Sequence, residues 1–250
     1  MNPHFEVETA ERFLNMGLLE QALSTLRGAL SQDPELAEGH IVLALTLLDL
    51  RRIHAALHEA RLGVSLAPED DAAHRVLALV LRAHRKRVQA EHHARQAIAL
   101  APDEPSNFMT LALLRRDDQD RVAAREHLDT ALRLDPEDVG ARTMLAELHM
   151  DEGDWEAAER EVEDALQLEP EYPRALIVRG SLYLHHGQVD DAREHVRWVL
   201  SRNPMDEDAL RLLVAIKAST SRLMGLWWRY AVFLSRFDSV RQIAILMVLY

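Results

Sequence analysis

Histidine is the first residue type here whose number and spacing could support chemistry, with 13 in 250 residues, while cysteine is absent. His54 and His58 stand one helical turn apart, the interval that two metal ligands on a single helix require. His92, His93, His127 and His195 fall on equivalent stretches further along. The His54 to His58 interval holds no glutamate, so a metalloprotease pattern is absent, and nothing indicates a third ligand. Exposed helix histidines account for the set, and neither a metal nor a cofactor is expected. The lack of cysteine excludes disulfides, thiolate metal sites and a cysteine nucleophile. The 9 glycines are scattered, which leaves no phosphate-cradling loop. Acidic pairs are frequent but are expected on solvated helix faces with nothing to shift a pKa. General acid–base catalysis therefore has no candidate, and no enzyme is expected.

Arginine is the remaining residue with chemical reach. Arg51 and Arg52, then Arg85, Lys86 and Arg87, then Arg115 and Arg116 recur at a near-constant interval and should line one edge of the molecule. Such a line could receive an anionic partner. The simpler account, favoured here, is that cations close a helix and anions open the next, each complementing the helix dipole.

These side chains are positioned by a strict internal repeat, typified by GDWEAAEREVEDALQLEP from Gly153 to Pro170. Ala158, Val162, Ala165 and Leu166 share one helix face, between an opening turn and a closing proline. Prolines recur every 34 residues at Pro34, Pro68, Pro102, Pro136, Pro170 and Pro204, and alanines keep the same step at Ala22, Ala56, Ala90, Ala124, Ala158 and Ala192. The prolines are expected to suit the start of the next helix, where a missing N–H is harmless. Gly17, Gly153 and Gly187 supply an easy left-handed turn between paired helices. Arg51, Arg85 and Gln119 occupy that place in three other repeats, whose turns must be built differently or carry strain.

The frame resembles the tetratricopeptide repeat, a helix-turn-helix unit of 34 residues. The match is carried by Leu145, Ala146, Gly153, Ala158, Val162, Ala165 and Pro170, and by Leu111, Ala112, Ala124, Leu128, Ala131 and Pro136. The family's first aromatic appears only as Phe108 and its second only as Phe13 and Tyr183, with Leu47 and Leu81 substituting elsewhere. The resemblance implies an all-α right-handed superhelical solenoid whose first helices line a concave groove for a partner peptide or helix. The candidate lining is Leu45, Arg75, Leu79, Arg82, Met109, Leu113, Arg116, Thr143, Glu147 and Met150. Leucine and methionine would receive apolar anchors, and the arginines would pair with carboxylates or phosphates. The alternative is that the leucines only pack between helices and the arginines are solvated. The family's lysine and asparagine clamp for a C-terminal carboxylate is disfavoured, because its places hold Val7, Glu11, Val42, Ala72 and Val76.

The expected organisation is six repeats (3–36, 37–70, 71–104, 105–138, 139–172 and 173–206), a capping helix at 207–221 and a tail at 222–250. The net charge of -12 argues against a nucleic-acid binder. It is unevenly spread, with about +5 from Ala209 onward against about -17 before it. Arg222, Arg229 and Arg236 fall on one helical stripe, and Trp227, Trp228, Tyr230 and Phe233 are interleaved with them. This pattern fits an amphipathic helix at a membrane interface. The closing apolar run from Ile243 to Tyr250 is too short to span a bilayer, which takes about 20 residues. The other reading is that the tail caps the solenoid or joins subunits in a soluble homo-oligomer. The N-terminal stretch MNPHFEVETAERF lacks a signal peptide's apolar core, so a cytoplasmic body is expected, at the inner face of a membrane if the tail binds one.

Overall fold

In the computed structural model, residues 2–220 are described, and all their regular structure is helical. The chain divides into two compact units, Met1–Tyr172 and Pro173–Tyr250. The first contains α1 (Pro3–Asn15), α2 (Leu19–Gln32), α3 (Ala37–Asp49), α4 (Ile53–Leu66), α5 (Asp71–Ala83), α6 (Arg87–Leu100), α7 (Pro105–Asp117), α8 (Arg121–Leu134), α9 (Val139–Glu152) and α10 (Trp155–Leu168). The second contains α11 (Pro173–His185), α12 (Val189–Arg202) and α13 (Glu207–Thr220). Odd-numbered helices begin at 3, 37, 71, 105, 139, 173 and 207, so the sequence period is the spacing of the helices themselves.

Each odd-numbered helix through α11 packs most extensively on the even-numbered one that follows it. The close approach depends on the repeated alanine near the start of each second helix. Ala22, Ala56, Ala90, Ala124, Ala158 and Ala192 are all fully or almost fully buried. In the first unit, α1, α3, α5 and α7 also pack on one another in succession, and a continuous apolar core runs from Val7 to Leu114. A further cluster joins Ala112, Leu128, Met144 and Leu148. Leu47 and Leu81 are buried in that first core, so aliphatic side chains fill the gap that the family gives to an aromatic. In the second unit, α13 packs on α11 and α12 through Leu212 and Ile216.

The turn within each pair is the same in all six cases. Its six-to-one and five-to-two hydrogen bonds, such as Arg52 N to Leu47 O at 2.8 Å and Arg51 N to Leu48 O at 2.9 Å, define a Schellman motif. The residue in the left-handed position is Gly17, Gly153 or Gly187 at φ 72°, 81° and 79°, but Arg51, Arg85 or Gln119 at 58°, 59° and 60°. The three non-glycine turns are therefore not built differently. They adopt the strained conformation because the packing of the helix pair leaves the chain no other return path.

The repeated prolines also stand elsewhere than expected. Pro34 follows the C-cap Asp33 of α2 and precedes α3 by three residues, at the second position of a turn closed by Leu36 N to Asp33 O at 3.4 Å. Proline's fixed φ suits that position. The same closure recurs at Pro68, Pro102, Pro136, Pro170 and Pro204. Asp70 and Asp138 at the ends of such turns cap α5 and α9, accepting from Ala72 and Ala73 N and from Ala141 N.

Candidate functional site

Residues 34 apart occupy the same station on successive first helices, so the expected groove lining can be followed across α3, α5, α7 and α9. Leu45, Leu79 and Leu113 hold one station on α3, α5 and α7, and all three are half-buried. Arg75, Met109 and Met150 are half-buried as well. Met109 reaches toward α9, where a Cβ on Gly140 would meet its Cε at 3.0 Å. Thr143 does not belong with them. It has no exposed surface, and its hydroxyl donates to Val139 O at 2.7 Å within α9. An uncharged side chain of its size at that station is drawn into the helix packing.

Two of the three expected arginines are already committed. Arg82 donates through Nε and Nη2 to both carboxylate oxygens of Asp117, at 2.6 and 3.0 Å. Arg116 repeats the contact one repeat later, with Nε on Asp151 at 2.6 Å and Nη1 on Glu147. Each strap joins the last turn of one first helix to the next first helix, at a separation of 35 residues. Burial disfavours the charged form of Arg116, but Asp151 and Glu147 outweigh it, and its pKa stands above the ordinary value. Arg82, Arg116 and Glu147 thus act first as joints between repeats. The sequence holds the 35-residue spacing, one period plus one, but only the stacking of successive first helices turns it into a contact.

The turn cations are also largely engaged with neighbouring repeats. Arg52 meets Glu20 at 3.4 Å, Arg87 pairs with Asp118, and Arg115 pairs with Glu91 and lies 3.5 Å from Asp118. Glu91 is held below the usual carboxylate range by its hydrogen bond from Arg95, which with that from Arg115 outweighs the opposing desolvation. Glu11 shifts the other way, raised by desolvation and then by Glu38 and Glu8. Asp49 is raised as well, by burial, so the expectation that no carboxylate would have a shifted pKa fails at three positions, where helix packing removes water from a carboxylate or sets arginines beside it.

The histidines need a larger correction. His40, His74 and His149 are buried rather than exposed. The Nε2 of His40 and of His74 faces the carbonyl oxygen of the proline six residues earlier, Pro34 at 3.0 Å and Pro68 at 3.1 Å. The other ring nitrogen meets the residue 19 further on, Glu59 at 2.6 Å for His40 and His93 Nδ1 at 3.0 Å for His74. Arg142 makes the same bridge, from Pro136 O at 3.1 Å to Glu161 at 3.2 Å. A polar side chain at this station thus ties the proline turn to the second helix. In the His74 bridge the partner is an imidazole instead of a carboxylate, and His93 is pushed down to about 4 by burial, then by His74 and His92. His54 meets the ring of His84 edge-on, with centroids 5.0 Å apart. Among the described residues, no three His, Cys, Asp or Glu side chains are arranged to hold a metal ion. No described helix is long and apolar enough to cross a membrane. The expected interface residues Arg222, Trp227, Trp228, Arg229, Tyr230, Phe233 and Arg236 lie outside the described residues.

Comparison with known proteins agrees with this geometry. Residues 115–166 and 149–216 match the tetratricopeptide repeat family. No curated protein matches the sequence significantly. Among solved structures, the chain is similar to a tetratricopeptide repeat protein from Parabacteroides merdae, with 16% identity and a TM-score of 0.69 over 86% of this chain and 84% of that one. It is also similar to a chain of the APC/C hetero-tetramer Cut9–Hcn1, with 16% identity and a TM-score of 0.64 over 86% of this chain, but it spans only 43% of that chain. A third similar fold is pilF of Pseudomonas aeruginosa, with 20% identity and a TM-score of 0.55 over 85% of this chain and 96% of that one. The helix pairs, their common turn and these likenesses lead to one conclusion: the chain is an all-α helix-turn-helix repeat solenoid with a tetratricopeptide-like fold, whose residues 115–216 match that repeat family.

Proposed function

We propose that the chain is a scaffold that takes a partner peptide or helix along the face formed by α3, α5, α7 and α9. The observation carrying this reading is the row of half-buried leucines, Leu45, Leu79 and Leu113, at one station of three neighbouring first helices. A row that is neither sealed in the core nor fully hydrated can bury further apolar area at about 25 cal/mol per Å² when a ligand covers it. The test is affinity purification with the wild type, Leu79→Glu and Val88→Glu. Val88 on α6 is 84% exposed and serves as the control face. Loss of the recovered partner with Leu79→Glu alone supports the reading, whereas loss with Val88→Glu alone moves the site to the second helices.

In this proposal residues 222–250 hold the cytoplasmic body at the inner face of a membrane, the basic and aromatic composition of the tail suiting anionic lipid. Self-association is the second reading, favoured by α13, where Val214 is 66% exposed and Leu210 is exposed beside it. Liposomes containing anionic lipid distinguish the two. The tether reading expects the full chain to co-sediment and a chain ending at Thr220 to remain in solution. A full-length dimer that ignores liposomes and becomes monomeric on truncation would replace it with the oligomer reading.

A further inference from the structure

We propose that Arg75 makes this face selective for a segment carrying one side-chain carboxylate between aliphatic residues. The inference rests on the groove reading above and gives it a ligand chemistry.

Of the three arginines on the first-helix face, Arg82 and Arg116 have their carboxylates within the chain. Arg75 lies two helical turns before Arg82 and has no such strap. The residue 35 further on is Thr110, which is buried and donates its hydroxyl to Ser106 O at 3.0 Å. The acidic residue one turn back is Asp71, whose Oδ2 already accepts from Asn107 Nδ2 at 2.9 Å. The Nε–H of Arg75 is shut off from solvent and meets no acceptor. Buried donors of this kind are uncommon in folded proteins, and a charged one is the more demanding.

With Nε enclosed, the two Nη nitrogens are left to meet a ligand from solvent, and the surroundings specify its chemistry. The stations equivalent to Arg75 hold Ile41, Met109 and Thr143, none charged, and Leu79 lies one turn along α5. The face therefore presents a single unpartnered guanidinium within an apolar row. Arg82 is about 10 Å further along the helix axis and cannot share an anion with it. One guanidinium meets a carboxylate in a two-point pair and balances its single charge, whereas a phosphate group carries about −1.5 to −2 and would be left partly unbalanced. Aliphatic residues on either side of the ligand's acid would meet Leu45, Leu79 and Leu113.

The experiment selects binders to the full chain from a phage-displayed library of random peptides. Selected sequences should be enriched in Asp or Glu flanked by aliphatic residues. One is then synthesised with an amidated C-terminus, together with its Glu→Gln form. Arg75→Gln should weaken the acidic peptide about ten-fold, equivalent to about 1.4 kcal/mol, and leave the Gln form unchanged. Arg75→Lys, which keeps the charge but not the forked donors, should fall between. Equal losses for both peptides, or no acidic enrichment among peptides that Leu79→Glu abolishes, overturns this proposal alone. Peptides indifferent to Leu79→Glu, or a library yielding no binder, overturns the groove reading as well.

Discussion

Replacing Arg85 and Gln119 by glycine should stabilise the protein. Both residues occupy the left-handed position of a Schellman turn, at φ 59° and 60°. A side chain there brings Cβ against the following carbonyl, at about 1–2 kcal/mol. Glycine removes that repulsion but gives the unfolded chain more freedom, which returns about 0.4–1 kcal/mol. The net gain is about 0.5–1 kcal/mol per turn, and for a domain of this size each kcal/mol raises Tm by about 2–4 °C. The double variant should therefore melt about 2–8 °C higher and shift its urea midpoint upward without a change in slope. The reciprocal control is Gly153→Gln. A Cβ at Gly153, where φ is 81°, meets nothing within 4 Å, so its cost is conformational alone and should be about 1 kcal/mol. If the glycine variants melt lower than the wild type, the long side chains contribute more than their backbone costs. If Gly153→Gln is also silent, the strain account of these turns is wrong.

Ala158→Leu should lower stability by about 1–3 kcal/mol, because the fully buried Ala158 has no room for a larger side chain, while Gln167→Leu on the exposed side of α10 should be nearly silent in the same melt. Arg116→Gln should destabilise by about 1–2 kcal/mol in urea unfolding, since it leaves Glu147 and Asp151 facing each other; a double-mutant cycle with Asp151→Asn that shows no coupling would remove the strap from the account. His93 has a folded pKa below its unfolded value, so its contribution is present above about pH 6.5 and is lost as the pH falls toward about 4. Thermal melts from pH 7.5 to 4.5 should therefore show a loss of about 1 kcal/mol, discounted for the ring's partial exposure, and His93→Glu, which restores the acceptor found at Glu59 and Glu161, should flatten it.

The sequence alone determined where the helices stand, which alanines they close upon and where the chain reverses. Those features follow from local chemistry repeated at one period, and a helix face is fixed by residues three and four apart. It did not determine what the arginines and histidines do. Arg75 and Arg82 are the same residue type on one helix face, yet only Arg82 meets a carboxylate, because Asp117 comes one full repeat and one residue later. His74 is buried against Pro68 and His93 for the same reason, since its partners come from a turn and from the following helix. Arg51, Arg85 and Gln119 could have turned in other ways if each loop were free. Packing of the paired helices fixes the distance that three residues must cover, and only a left-handed residue covers it while satisfying the last carbonyls of the helix. Period and face are properties of neighbouring residues, whereas charge pairing, burial of a polar ring and backbone strain depend on which helix comes to lie alongside.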